Sequence, residues 1–149
     1  MFEYFKNMVT TTTGEQDSFQ KKLQVATCAI FYEMAKADEN FSTDEHEMIV
    51  SIMRDKFDLS DDAVEELMWN TEESIRKSVS IYEFTTLIDE NFTRNEKLEL
   101  IKNLWRLIYT DNKLDKYEDN LIKRIGDMLK LEHKEVIQAK LIVKGELGL

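Results

Sequence analysis

Ala37-Asp38-Glu39-Asn40-Phe41-Ser42-Thr43-Asp44-Glu45 and, 73 positions later, Thr110-Asp111-Asn112-Lys113-Leu114-Asp115-Lys116-Tyr117-Glu118 are two versions of one phrase. Each sets an Asp, an apolar residue three positions on, a small polar capping residue four on and a Glu seven on. The same offset lays Val25 on Leu98, Cys28 on Ile101, Phe31 on Leu104, Tyr32 on Trp105 and Ala35 on Ile108 before the phrase, and Met48, Ile49 and Ile52 on Leu121, Ile122 and Ile125 after it. At Leu59 and Leu131 the register slips by one residue. A unit that repeats its acids as well as its apolar pattern reads as a duplicated helix-turn-helix, packed about a pseudo-twofold axis.

The apolar spacing around the phrases is helical throughout. Phe19, Leu23, Ala26, Ile30 and Met34 recur at intervals of three and four, which predicts a long helix from about Glu15 to Ala37. Ser42 with Glu45 forms an S-x-x-E capping box that opens the next helix, and Thr93 with Glu96 and Ser80 with Glu83 announce two more. Asp115 with Glu118 is the Asp-capped variant, and Ser60 caps a helix carrying Val64, Leu67 and Met68. The last helix is expected to turn Val136, Ile137, Leu141 and Ile142 inward. Ahead of all this, Phe2, Phe5 and Val9 suggest a short helical arm over 1–14, ending at Thr10-Thr11-Thr12-Thr13-Gly14. The expected architecture is all-α, with seven to eight helices and one domain over 15–149.

Composition agrees with that class. The 149 residues are 42% apolar and 34% charged, enough for one soluble core. Proline is absent and glycine occurs four times, which argues against folds rich in tight turns. The net charge of −10 is uneven: residues 1–74 hold 6 Lys/Arg against 17 Asp/Glu, a balance of −11, and the remainder is at +1. An acidic surface repels phosphate backbones and anionic headgroups, so neither nucleic acid nor direct membrane insertion is expected. Cations and proteins with a basic surface are the expected partners. The start lacks the pattern of a signal peptide, no segment approaches a membrane span, and the single Cys28 suits a reduced compartment, so a cytoplasmic location is expected. Trp105 lies on an apolar stripe and reads as core, whereas Trp69 reads as exposed.

Three readings are open for Asp38, Glu45, Asp111 and Glu118. In the first, the glutamates are capping-box members and the aspartates bond locally across their turns. An EF-hand loop is the second, and spacing excludes it, because position 6 from Asp38 is Thr43 where Gly is required and position 12 is Ile49 where Glu is required. In the third, the two turns converge and the four carboxylates hold a divalent cation. Such a site would favour Mg²⁺, Ca²⁺ or Mn²⁺ over Zn²⁺, since neither turn has a Cys and His46 is the only nearby imidazole. Catalysis has few possible players here: two His, one Cys, no G-x-S-x-G elbow and no phosphate-cradling glycine loop. A non-enzymatic chain is expected, with a metal-dependent hydrolase as a third and lesser reading.

The paired phrases A-x-A-D-x-x-F-S-x-x-E and Y-T-D-x-x-L-D-x-x-E, each closing a long apolar helix, resemble the TerB-like family, named for tellurite resistance. The resemblance spans about Phe19 to Val143. It implies an all-helical duplicated domain, an acidic divalent-metal site at Asp38, Glu45, Asp111 and Glu118, and a setting in bacterial stress and metal resistance. The family pattern places Gly directly after each Asp, where this chain has Glu39 and Asn112. The alternative function is an adaptor bundle whose acidic face docks a basic partner, the turn acids serving only as caps.

Overall fold

A computed structural model describes the backbone of residues 2–37, 41–78, 80–111 and 114–149, and within these the side chains of all but 2–16 and 111. Every regular element among the described residues is helical: α1 (Phe2–Lys36), α2 (Thr43–Phe57), α3 (Asp61–Lys77), α4 (Tyr82–Asn91), α5 (Arg94–Ile108), α6 (Lys116–Met128) and α7 (His133–Glu146), with a 3-10 turn at Tyr109–Asp111. Among the described residues there are seven α-helices, within the expected seven to eight. The helix break expected at Gly14 does not occur, since α1 runs unbroken through the threonine run.

Helix starts follow the local capping code. Ser42, Thr93 and Asp115 each accept a hydrogen bond from the N–H three residues on, and Glu45, Glu96 and Glu118 each accept one from the backbone N–H of the capping residue. Ser60 Oγ accepts from Ala63 N at 3.2 Å. The box expected from Ser80 and Glu83 does not form. Glu83 instead accepts from Ser78 Oγ at 3.0 Å, while Ser80 Oγ takes the N–H of Tyr82 at 3.2 Å. A serine two residues upstream competes for the same carboxylate, and the local pattern cannot rank the two.

Helix ends repeat as well. Asp58 (φ 52°) and Lys130 (φ 60°) adopt the left-handed conformation after α2 and α6. Leu59 N then reaches Arg54 O at 3.1 Å and Leu131 N reaches Gly126 O at 2.9 Å. These are matching Schellman closures, and they lie 72 residues apart, which accounts for the slip seen in the sequence. Lys130 is further tied by its Nζ, 3.1 Å from Asp89 Oδ2.

α1 is the central element, in contact with α2, α3, α4, α5 and α6, and α5 packs on α7, α6 and α2. Ile30, Phe31, Met34, Ile49, Met53, Ile88, Leu104, Trp105, Ile108, Ile122 and Ile125 form a continuous core. Trp105 Nε1 donates to the Val136 carbonyl at 3.0 Å, so its one polar atom is satisfied inside. The buried hydroxyls of Thr27 and Thr71 bond back to Leu23 O and Leu67 O. α7 faces the core through Val136, Ala139 and Val143, and the expected inward placement of Leu141 and Ile142 is wrong, since both are exposed. Val136, Ala139 and Val143, at spacings of three and four, form the buried face of α7, and Leu141 and Ile142 lie off that face. Phe19 is likewise exposed at the outer end of the α1 stripe.

Candidate functional site in the acidic turns

The first turn leaves α1 with Ala37 N bonded to Met34 O at 3.2 Å. Its apolar residue, Phe41, stacks on Tyr32 with ring centroids 5.4 Å apart and 18° between planes, and His46 lies 6.1 Å from the Phe41 ring. Glu45 N then donates to Ser42 Oγ at 3.1 Å, and Glu45 Oε1 accepts from Ser42 N at 3.4 Å and from Ser42 Oγ at 3.2 Å.

The second turn is built alike with other side chains. Tyr109 opens the 3-10 turn and stacks on Trp105 at 6.1 Å, and Leu114 packs against the core where Phe41 does in the first. Glu118 N donates to Asp115 Oδ1 at 2.8 Å, and Glu118 Oε1 accepts from Asp115 N at 3.3 Å. Burial, together with the negative charges of Asp119 and Glu118, raises the Tyr109 phenol above its ordinary value.

The two turn glutamates differ from an ordinary capping glutamate in burial. Glu45 is 4% exposed and Glu118 3%, whereas Glu96, which makes the same box at the start of α5, is exposed. Capping requires only that one carboxylate oxygen reach the N-cap N–H, and Glu96 does so from the surface. Withdrawing a carboxylate from water is costly unless it is partnered. Neither residue lacks partners. α2, which carries Glu45, packs against the 3-10 turn that ends at Asp111, and α1 packs against α6, which carries Glu118.

The sequence-derived site is thus described only in part. Glu45 and Glu118 each sit on their own cap, while Asp38 with Glu39 and Asn40, Asn112 with Lys113, and the side chain of Asp111 lie outside the described residues. Among the described residues no three His, Cys, Asp or Glu are grouped as a metal-ligand set. Beside the first turn, Tyr32, Phe41, His46, Glu72, Ile75 and Arg76 line a cavity of about 320 Å³ that sequence reading missed. The stacking of Tyr32 on Phe41, nine residues apart across the turn, carries no periodic signal. Cys28 is fully buried, its Sγ 3.7 Å from Met68 Sδ, and burial pushes its thiol up to about 12. No described helix is long and apolar enough to cross a membrane.

The family model described as Tellurite resistance protein TerB matches residues 24–141. No curated protein and no solved structure gives a match.

Proposed function

We propose a role for this chain from its standing as a member of the tellurite resistance protein TerB family, to which it belongs by the match over most of its length: it is a non-catalytic module that binds a divalent cation between its two acidic turns. Asp38, Glu45, Asp111 and Glu118 would hold the ion. What supports this reading is the repeat of one acid pattern, Asp38 with Glu45 and Asp111 with Glu118, in two units that pack on one another. A cation between the turns would offset the repulsion among four carboxylates brought together there. The donor set fits such an ion, because it consists of hard carboxylate oxygens without thiolate, favouring Mg²⁺, Ca²⁺ or Mn²⁺.

We infer further that the two turns descend from one duplicated unit. The matching caps at 42 and 115 and the matching left-handed closures at 58 and 130 support this, as do the paired packings of α1 on α6 and α5 on α2. A duplication gives a simple route to a shared site, since equivalent acids approach one another across the axis that relates the units. The setting in tellurite resistance follows the family's description. Titration calorimetry with Ca²⁺, Mg²⁺, Mn²⁺ and Zn²⁺ on the native chain and on Asp38→Asn/Asp111→Asn tests the reading. Saturable heat with a hard cation, absent from the double variant, is expected; equal heats from both proteins would overturn it.

A further inference from the structure

Trp69 stands in the middle of α3 with 62% of its surface exposed, whereas Trp105 is fully buried. Its neighbours on the same helical face, at three and four residues in each direction, are Glu65, Glu66, Glu72 and Glu73, so that each of these four positions is a glutamate. The opposite face of α3 is committed to the core through Val64, Leu67, Met68 and Thr71, so the indole and its acidic ring face outward. A lone exposed aromatic is ordinary on a protein surface. One ringed by acids is not explained by folding, because most of the indole stays in water and like charges on one helix face repel. Glu72 accepts from the Tyr32 hydroxyl at 3.4 Å and Glu73 pairs with Arg76 at 3.2 Å, which fixes two of the four carboxylates; Glu65 and Glu66 are exposed to water.

We propose that this face of α3 is the docking surface for a basic segment of a partner protein, one of whose Arg or Lys side chains lies over the Trp69 ring between the carboxylates. The indole face carries the negative end of the aromatic quadrupole and attracts a cation directly. The glutamates add full negative charge around its rim, within a half of the chain whose balance is −11. A phosphate-bearing or carboxylate-bearing partner would be repelled, and a purely apolar one would have to strip water from the rim acids. The aromatic body in a charged rim is the composition of an interface anchor. This surface lies on α3, apart from the residues of the acidic turns, and it acts whether or not those turns bind a cation.

The test uses the full-length chain and a helical probe peptide with Arg and Lys at every third or fourth position and Ala and Leu elsewhere. Binding is followed by calorimetry and, in the native chain, by emission of Trp69, the exposed indole. Saturable binding that weakens with salt is expected, with affinity falling about tenfold in Trp69→Ala and in Glu65→Gln/Glu66→Gln. The control pair Glu47→Gln/Asp55→Asn on α2 makes the same change in net charge and is expected to stay within about twofold of native. All three variants alter exposed positions, and circular dichroism checks that each remains folded. Absence of saturable binding, or equal weakening by the α2 pair, would overturn the proposal in favour of diffuse attraction to the acidic half. Neither result bears on cation binding at the turns, which calorimetry with metal salts reads separately.

Discussion

A methyl group added at Gly126 would come 2.6 Å from Val136 Cγ2, so the absence of a side chain on α6 is what allows α7 to lie against it. Replacing a helical Gly by Ala ordinarily stabilises by about 1 kcal/mol. Here the clash is with a short, buried β-branched side chain that cannot swing away, and overpacking of this kind costs about 1–3 kcal/mol. Gly126→Ala is therefore expected to lower stability, read as an earlier urea midpoint. Gly126→Ala/Val136→Ala should be more stable than the sum of the single effects predicts.

The capping residues provide a second check. Thr93→Ala and Asp115→Ala each remove an acceptor for a helix-start N–H and should cost about 1 kcal/mol. Their partners should separate. Glu96→Gln, at an exposed position, is expected to change stability by only a few tenths of a kcal/mol, about the value of a surface charge. Glu118→Gln, buried in the turn, should have a larger effect and one that depends on added divalent cation. Chemical unfolding with and without MgCl₂ reads both.

Asp89 joins three parts of the fold. Its carboxylate is 2.6 Å from Lys97 Nζ on α5 and 3.1 Å from Lys130 Nζ in the turn after α6. The hydrogen bond from Lys97 first, and that from Lys130 after it, hold its pKa below the ordinary carboxylate value. A depressed folded-state pKa contributes stability that is present above the unfolded value of about 3.9 and is lost as pH falls through the folded value. Asp89→Asn should thus be less stable than the native chain at pH 7. The two stability curves should converge as pH falls below about 4, measured by urea unfolding across the acid range.

Burial of Cys28 and its thiol value of about 12 make it inert in the folded chain. Its reaction with a thiol-specific dye should be slow in native buffer and should accelerate with denaturant in step with unfolding of the core around α1 and α3. Rapid labelling in native buffer would contradict the packing of Cys28 against Met68.

Much of this was readable from local chemistry. The boxes at Ser42, Thr93 and Asp115, the cap at Ser60 and the core places of Phe31 and Trp105 follow from spacings of three and four residues, whereas Trp69, expected to be exposed at a helix end, is exposed in the middle of α3. The misplacements arise where two side chains compete or where a partner decides. Ser78 takes Glu83 from Ser80, and α7 packs on the core through Val136, Ala139 and Val143, which leaves Leu141 and Ile142 outward. The burial of Glu45 and Glu118 was beyond sequence reading for the same reason: Ser42-x-x-Glu45 and Thr93-x-x-Glu96 are the same local pattern, and only tertiary packing covers one and exposes the other.

The central claim is that the two acidic turns act as one site. The most direct measurement is the shift in thermal midpoint produced by MnCl₂ in the native chain, in Asp38→Asn, in Asp111→Asn and in the double variant. A shared site predicts a clear upward shift for the native chain and near-complete loss of that shift in either single variant, with no further loss in the double. Independent contributions that halve in each single variant, or a shift that survives in all four proteins, would contradict it.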